Sequence, residues 1–212
     1  MVNKIYFNSE VNTVKSDIER YIQSAINNGA NDAKMIETDS ILIDERVRAK
    51  CYIPLCEGVG KSLNCPPYTM DLDTFQKVVN RYNFAVFYMI MVPSEELCGI
   101  DFIAKKKGAP SAIKNYQICS KLESLAFYDG YYFAMGFAGG PCGPYFCGNQ
   151  ECAALESNGC RHPLKARPSM EAMGINAFEM AFKVGWEIYP VGKCLQPEDV
   201  PHGIKLGLVL IH

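Results

Sequence analysis

The sequence has little of several features that mark common functional classes. Its 212 residues include only three histidines, so a metal centre built from several histidines is poorly supported. The net charge is -2 at pH 7, which gives no basic excess for binding nucleic acid or an anionic membrane. The longest apolar run, residues 84–92, is too short for a transmembrane helix, which needs roughly 20 residues. We therefore expect neither nucleic acid nor a membrane as a partner.

Recognisable cofactor and nucleophile motifs are also missing. The sequence has no glycine-rich dinucleotide loop, no Walker loop and no G-x-S-x-G elbow. It also lacks the C-x3-C-x2-C spacing of radical iron–sulfur enzymes. The first residues show no apolar segment followed by a small-residue cleavage site, so we expect a cytoplasmic protein. Because these motifs are absent, the sequence contains no pattern that identifies a reaction.

Ten cysteines are the most informative feature of the sequence. Five structural disulfides are not expected in a reducing cytosol, so the thiols are better interpreted as metal ligands, reactive groups or small buried side chains. Seven of them form two groups along the chain: Cys51, Cys56 and Cys65, and then Cys142, Cys147, Cys152 and Cys160. The other three are scattered, at Cys98, Cys119 and Cys194.

The second group has the spacing C-x4-C-x4-C-x7-C, among glycines and prolines that let the backbone wrap closely around a metal. Four thiolates can hold either zinc or a [4Fe–4S] cluster. Zinc sites usually present two short knuckles separated by a spacer, whereas these fairly even intervals favour a cubane. The cations at positions 161, 165 and 167 either offset the negative charge of the cluster or form a solvated basic loop. His162 is interpreted as a hydrogen-bonding neighbour of the cysteines rather than as a metal ligand.

The first group has the spacing C-x4-C-x8-C and ends in Cys-Pro, and it supplies only three thiols. Either a distant residue completes this site, or one metal position stays open for water, substrate or another ligand. The candidates for completion are Cys98, Cys194, Glu57 or a histidine. Cys119 stands among apolar helical positions and is predicted to be a plain core residue.

Alternating apolar and amphipathic segments predict one α/β domain over residues 1–212, with helices packed on a mixed sheet and two cysteine-rich metal-binding loops. Strands are predicted over residues 4–7, 34–43, 84–92, 131–138 and 204–211. Helices are predicted over residues 13–28, 72–81, 111–128 and 170–184, with Asp71 and Ser169 as caps of the second and fourth. A solvated loop is expected at residues 105–107. Each cysteine group then follows a strand and precedes a helix, where such sheets carry sites.

Three strings resemble the DUF2284 family, which is described as predicted metal-binding proteins: RVRAKCYIPLCEGVGKSLNCPP (46–67), AFYDGYYFAMGFAGGPC (126–142) and CRHPLKARPSMEAMGI (160–175). The resemblance runs from about residue 28 to the C-terminus. It implies that the family's cysteines are the seven of the two groups, at positions 51, 56, 65, 142, 147, 152 and 160. It also implies an oxygen-poor cytoplasm, and it brings no established reaction.

These observations leave three hypotheses. The first is a small iron–sulfur protein, with one [4Fe–4S] cluster or two, that passes electrons to a partner metalloenzyme or helps to assemble it. The second is an enzyme that uses the three-cysteine site as an open cluster for chemistry on a small molecule. The third is a zinc-stabilised interaction protein without a redox role. A homo-oligomer is compatible with all three.

Overall fold

A four-stranded sheet with helices on both faces forms the framework of the protein. The structure, a computed structural model, describes residues 11–100, 109–148 and 150–212. Its helices are α1 (Val11–Asn27), α2 (Glu45–Ala49), α3 (Leu72–Val79), α4 (Ala109–Tyr128), α5 (Gly143–Phe146) and α6 (Ala177–Lys183). Its strands are β1 (Asp32–Glu37), β2 (Phe84–Val92), β3 (Met135–Phe137) and β4 (Gly203–Leu210). The predicted α/β class is confirmed.

The strands are arranged in the order β1-β2-β4-β3, and every neighbouring pair is antiparallel. The sheet is thus antiparallel throughout, whereas a mixture of parallel and antiparallel strands was expected. Its two central strands are the two apolar runs of the sequence, residues 84–92 and 204–211, because strands covered on both faces need apolar side chains throughout. Both were predicted as strands, and both predictions are confirmed.

The side chains of β2 alternate between the two faces of the sheet, as the pleat requires. Val86 and Tyr88 pack with α1 and α4 on one face. Ala85 and Phe87 pack with α3, α6 and the residues before α6 on the other face. α1 contributes a fully buried stripe at helical spacing, formed by Val14, Ile18, Tyr21 and Ala25. The helices predicted over residues 13–28, 72–81 and 111–128 are confirmed to within two residues at each end.

Buried polar contacts fix α4 against the sheet. The hydroxyl of Tyr88, which is fully buried, donates to Asn115 Oδ1 at 2.7 Å, and Asn115 Nδ2 donates to Leu206 O at 2.8 Å. Gly207 lies opposite Tyr88 in the strand register. A Cβ on Gly207 would lie 2.2 Å from the Tyr88 ring, so only glycine leaves room for that side chain. Each buried polar atom of this network has a partner, as a well-formed core requires.

The predicted helix over residues 170–184 is confirmed only in its second half, as α6, Ala177–Lys183. A 3-10 turn over Glu171–Met173 ends at Gly174, whose φ of 73° is a left-handed conformation that suits glycine, and α6 begins only at Ala177. Ser169 Oγ accepts from Ala172 N at 3.1 Å, so it caps the turn, whereas Asn176 caps α6. The break lets the chain run beside the residues that precede α2.

Two strand predictions are too long. The strand expected over 34–43 pairs with β2 only over Asp32–Glu37, and the chain then turns away through a 3-10 segment, Thr38–Ser40. The strand expected over 131–138 pairs only at Met135–Phe137, because residues before it form a turn after α4. The expectations for residues 4–7 and 105–107 lie outside the described residues.

We expect Gly207→Ala to lower the free energy of unfolding by about 1–3 kcal/mol, because the added methyl group overlaps the buried Tyr88 ring. Urea denaturation measures the change. Gly143→Ala is the matched control, since a Cβ there meets no atom within 4 Å. Equal stability of the two variants would contradict the close packing described for Tyr88.

Candidate metal centre

The loop that carries the second cysteine group leaves and rejoins the framework at one point. Ala138, directly after β3, donates its N–H to Pro168 O at 3.0 Å and accepts from Met170 N at 3.0 Å. Tyr116 of α4 adds a third tie, because its hydroxyl donates to Gly140 O at 2.6 Å. The ring of Tyr116 also packs against Phe146 of α5 inside the loop, with centroids 5.1 Å apart. The cysteines are therefore held against the framework at both ends.

The loop that carries the first cysteine group is tied to the same stretch of chain. Asp44 N, before α2, donates to Gly174 O at 2.9 Å, and Thr69 Oγ1 donates to Ala172 O at 3.2 Å. Arg48 of α2 closes the loop by donating to Met70 O at 2.6 Å. Residues 168–176 thus form a common base from which both cysteine loops project.

All four cysteines of the second group line one cavity of about 190 Å³. Residues 61–64, from the first cysteine loop, form the opposite wall. The four are Cys142, Cys147, Cys152 and Cys160, and their exposure increases from Cys142, which is buried, to Cys160, which is exposed. The structure therefore brings together the four residues that the spacing predicted as one site. Sequence spacing could not predict the second wall, which lies about 80 residues away in the chain.

Local backbone geometry explains why glycines surround these thiols. Gly140 and Gly148 flank the segment from Cys142 to Cys147, with φ angles of 74° and 61°. A Cβ at either glycine would meet no atom within 4 Å, so the requirement is conformational rather than steric. Positive φ is strained for most other residues. These two turns reverse the chain and direct successive cysteines into the same cavity.

The Cys142 thiol receives polar contacts from the opposite wall. Its sulfur lies 3.4 Å from the hydroxyl of Ser62 and accepts from Asn64 Nδ2 at 3.5 Å. Ser62 is itself buried, at 4% exposed. Neither residue was singled out from the sequence as part of the site. Hydrogen bonds to sulfur favour its thiolate form and tune the potential of a bound cluster.

Cys152 is surrounded by hydrogen-bond donors. Burial raises its pKa, but N–H groups of Leu63, Ala154 and Leu155 and the hydroxyl of Ser62 outweigh this effect, so the net pKa is lowered. Donors that converge on a sulfur stabilise negative charge there. These contacts thus favour the thiolate of Cys152, which is the form that ligates metal.

The remaining two thiols of this group lie beside Arg161 and His162. Burial and the neighbouring Cys142 raise the pKa of Cys147, while a hydrogen bond from Arg161 acts in the opposite direction. Cys160 Sγ accepts from the backbone N–H of His162 at 3.3 Å. The His162 ring packs against Phe146, with centroids 5.8 Å apart. These contacts agree with the interpretation of His162 as a neighbour of the thiols.

Arg167 anchors the end of the loop. It forms an ion pair with Glu123 of α4 at 2.6 Å, and the two side chains are only 14% and 20% exposed. Glu123 also accepts from Gly136 N of β3 at 2.6 Å. Arg167 Nη1 donates to Pro163 O at 2.9 Å as well. Its charge therefore compensates a carboxylate of the framework, and the residue fixes the loop that follows Cys160.

The first cysteine group adjoins the second. A Cβ on Gly58 would lie 3.1 Å from Cys65 Sγ and 3.1 Å from the side chain of Pro141, the residue before Cys142. Cys65 is buried, and this burial, together with the thiolates of Cys142, Cys56 and Cys51, raises its pKa to about 12. The sequence could not say whether the two groups converge, and the structure places them side by side.

Among the described residues, no three Cys, His, Asp or Glu side chains are grouped closely enough to hold a single metal ion. The scattered cysteines stand apart from the cavity. Cys119 is fully buried, as predicted for a core residue. Cys98 is buried in the turn where Gly99 N donates to Gly192 O at 3.3 Å, and Cys194 is exposed.

We expect Arg167→Met to lower the free energy of unfolding by about 3 kcal/mol, because it leaves Glu123 largely buried without its counter-charge. Denaturant unfolding measures the loss. The double variant with Glu123→Gln removes the uncompensated charge and keeps an oxygen for Gly136 N, so it should recover much of the stability. No recovery in the double variant would contradict this role.

Comparison with known proteins gives a family but no close relative. A family model described as a predicted metal-binding protein, DUF2284, matches residues 34–210. No curated protein and no solved structure matches the chain. In the part of the chain that the structure describes, no helix is long and apolar enough to cross a membrane. The matched span includes both cysteine groups and confirms the family resemblance seen in the sequence. The chain belongs to the DUF2284 family of predicted metal-binding proteins.

Proposed function

We propose that the protein binds a [4Fe–4S] cluster through Cys142, Cys147, Cys152 and Cys160, and transfers electrons or assists metallocofactor assembly in an anaerobic cytoplasm. The observation that carries this proposal is the single cavity lined by all four thiols. Four cysteine thiolates are the usual ligand set of such a cluster. Hydrogen-bond donors surround the sulfurs, which suits an anionic centre.

The size of the cavity and the fairly even intervals between its cysteines in the sequence support a cluster over zinc. Four sulfurs around one zinc ion, each about 2.3 Å from it, lie only about 3.8 Å apart. A cubane places each ligand on a different iron and so separates the sulfurs more widely. A cavity of about 190 Å³ would also be largely empty around a single ion.

Exposure at the mouth of the cavity supports electron transfer to a protein partner. Cys160 is exposed, so a cluster bound to it would lie near the surface. Leu63, on the cavity wall, is 47% exposed, and Leu164 is 79% exposed. Exposed apolar side chains beside a functional site are typical of protein contact surfaces. We propose a redox protein or a metalloenzyme as the partner that covers them.

An enzyme is the second candidate function, and the first cysteine group favours it. Cys51, Cys56 and Cys65 supply three thiols next to the main cavity, and Cys56 is exposed to solvent. A cluster held by three thiolates with a replaceable fourth ligand can act as a Lewis acid on a small molecule. Changes in the cluster's spectrum on addition of small ligands would distinguish this enzyme from a simple electron carrier.

We expect Cys147→Ser and Cys160→Ser each to lose about four irons and four sulfides per chain, because each change removes a ligand of the proposed cluster. Metal and acid-labile sulfide are measured on protein purified without oxygen. The stability of the cysteine loop should fall as well, since metal binding and folding are coupled. Cys194→Ser is the matched control, an exposed cysteine outside the site. Unchanged iron in both site variants would refute the proposal.

We expect Ser62→Ala to lower the reduction potential of the cluster. The hydroxyl of Ser62 interacts with the sulfurs of both Cys142 and Cys152, and such donors stabilise the more negative reduced state. A redox titration followed by electron paramagnetic resonance measures the shift. Ser124→Ala, on an exposed position of α4, is the control. An unchanged or higher potential would contradict hydrogen bonding from Ser62 to the cluster.

A further inference from the structure

The first cysteine group supplies three candidate ligands of a metal site. Cys51 and Cys56 face one another across a tight turn, in which Tyr52 bridges Leu55 and Cys56 N donates to Cys51 O at 2.8 Å. Two residues after Cys56 the chain passes close to Cys65, because a Cβ on Gly58 would lie 3.1 Å from Cys65 Sγ. The three thiols therefore come from one folded loop, and a fourth ligand must come from another part of the chain or from solvent.

Glu171 carries an oxygen that lacks a partner. Its Oε2 is shielded from solvent and makes no hydrogen bond, and no other buried carboxylate oxygen among the described residues shares that condition. A carboxylate oxygen can only accept, and leaving it buried without a donor is unfavourable. Structures retain such an atom when something else satisfies it, and a metal ion is one such group.

The fold places the turn that contains Glu171 beside the first cysteine loop. The 3-10 turn that contains it packs against α2, which ends two residues before Cys51. The next residue, Ala172, accepts the Thr69 hydroxyl from the far end of the same loop. The electrostatic influence of Glu171 also reaches Cys51, whose pKa is raised by burial, by Cys56 and by this carboxylate.

The other candidates for a fourth ligand are less well placed. Glu57 is exposed, and its charge raises the pKa of Tyr145 in the other cysteine loop. Cys98 and Cys194 belong to turns near Gly192, as described above. The three histidine rings each pack against an aromatic ring elsewhere: His162 on Phe146, His202 on Tyr189 and His212 on Tyr131.

We propose that Glu171, through Oε2, is the fourth ligand of a second iron–sulfur cluster whose other ligands are Cys51, Cys56 and Cys65. The inference extends the proposed function to a second centre and names a ligand that no cysteine pattern contains. An oxygen ligand is harder than a thiolate, so the iron that Glu171 binds differs from the other three. It is the position at which a small molecule would displace the protein ligand.

Electron paramagnetic resonance of the reduced full-length protein in water enriched in oxygen-17 tests this ligand. In the unmodified chain, the signal removed by Cys51→Ser should show no broadening, because every iron has a protein ligand. Glu171→Gln should broaden that signal, since water then occupies the vacated position. Glu171→Cys should keep the iron content and stay unbroadened. Glu57→Gln, the control carboxylate, should behave as the unmodified protein does.

Several results would overturn the inference. Broadening in the unmodified chain would mean that water already occupies the fourth position, and an unbroadened Glu171→Gln would mean that Glu171 is not a ligand. If Glu171→Gln fails to fold by circular dichroism, Glu171→Cys decides: full iron without broadening supports ligation, and loss of iron contradicts it. Unchanged iron in Cys51→Ser would refute the second cluster alone, whereas unchanged iron in Cys147→Ser would refute the proposed function.

Discussion

Backbone pairing at the base of the two cysteine loops determines where the thiols can lie. Ala138 exchanges hydrogen bonds with Pro168 and Met170, and Asp44 bonds to Gly174 a few residues later. Loops rich in glycine and proline lose much conformational entropy when they are ordered. Fixing their ends on the sheet reduces that loss, and bound metal would supply the rest, because folding and ligation are coupled in such loops.

Negative charge is the second constraint on this region. Cys51, Cys56, Cys142 and Cys152 all lie near Cys65, and burial together with their charge raises the pKa of Cys65 to about 12. Burial therefore favours the protonated form of Cys65. A bound metal would replace protons by positive charge, and the donors around Cys152 show where negative charge is best accommodated.

The sequence predicted the framework well wherever the pattern was strong. The sequence pattern predicts the apolar strands β2 and β4, the stripe of α1 and the Asp71 cap of α3, and the structure contains all of them. The helix expected over 170–184 was right only over Ala177–Lys183, because Gly174 ends the first turn in a left-handed conformation that helical periodicity does not reveal. The strand expected over 131–138 was too long because residues 131–134 lie outside the sheet, in the turn that follows α4.

The candidate site was predictable only in part. Spacing grouped the four cysteines that line the cavity, because they lie close together in the sequence. The wall formed by Ser62 and Asn64 and the orphan oxygen of Glu171 depend on contacts between distant segments. No spacing rule connects Glu171 with Cys51, which precedes it by more than a hundred residues. Such partners become visible only when packing is known.

Iron and acid-labile sulfide per chain, measured on the unmodified protein purified without oxygen, test the central claim most directly. Two four-iron clusters on the two cysteine groups predict about eight irons and about eight sulfides per chain. Zinc in place of iron, with no sulfide, would contradict the account. The four thiols would then hold a structural ion, and the arrangement of the cavity would have to change to bring them around it.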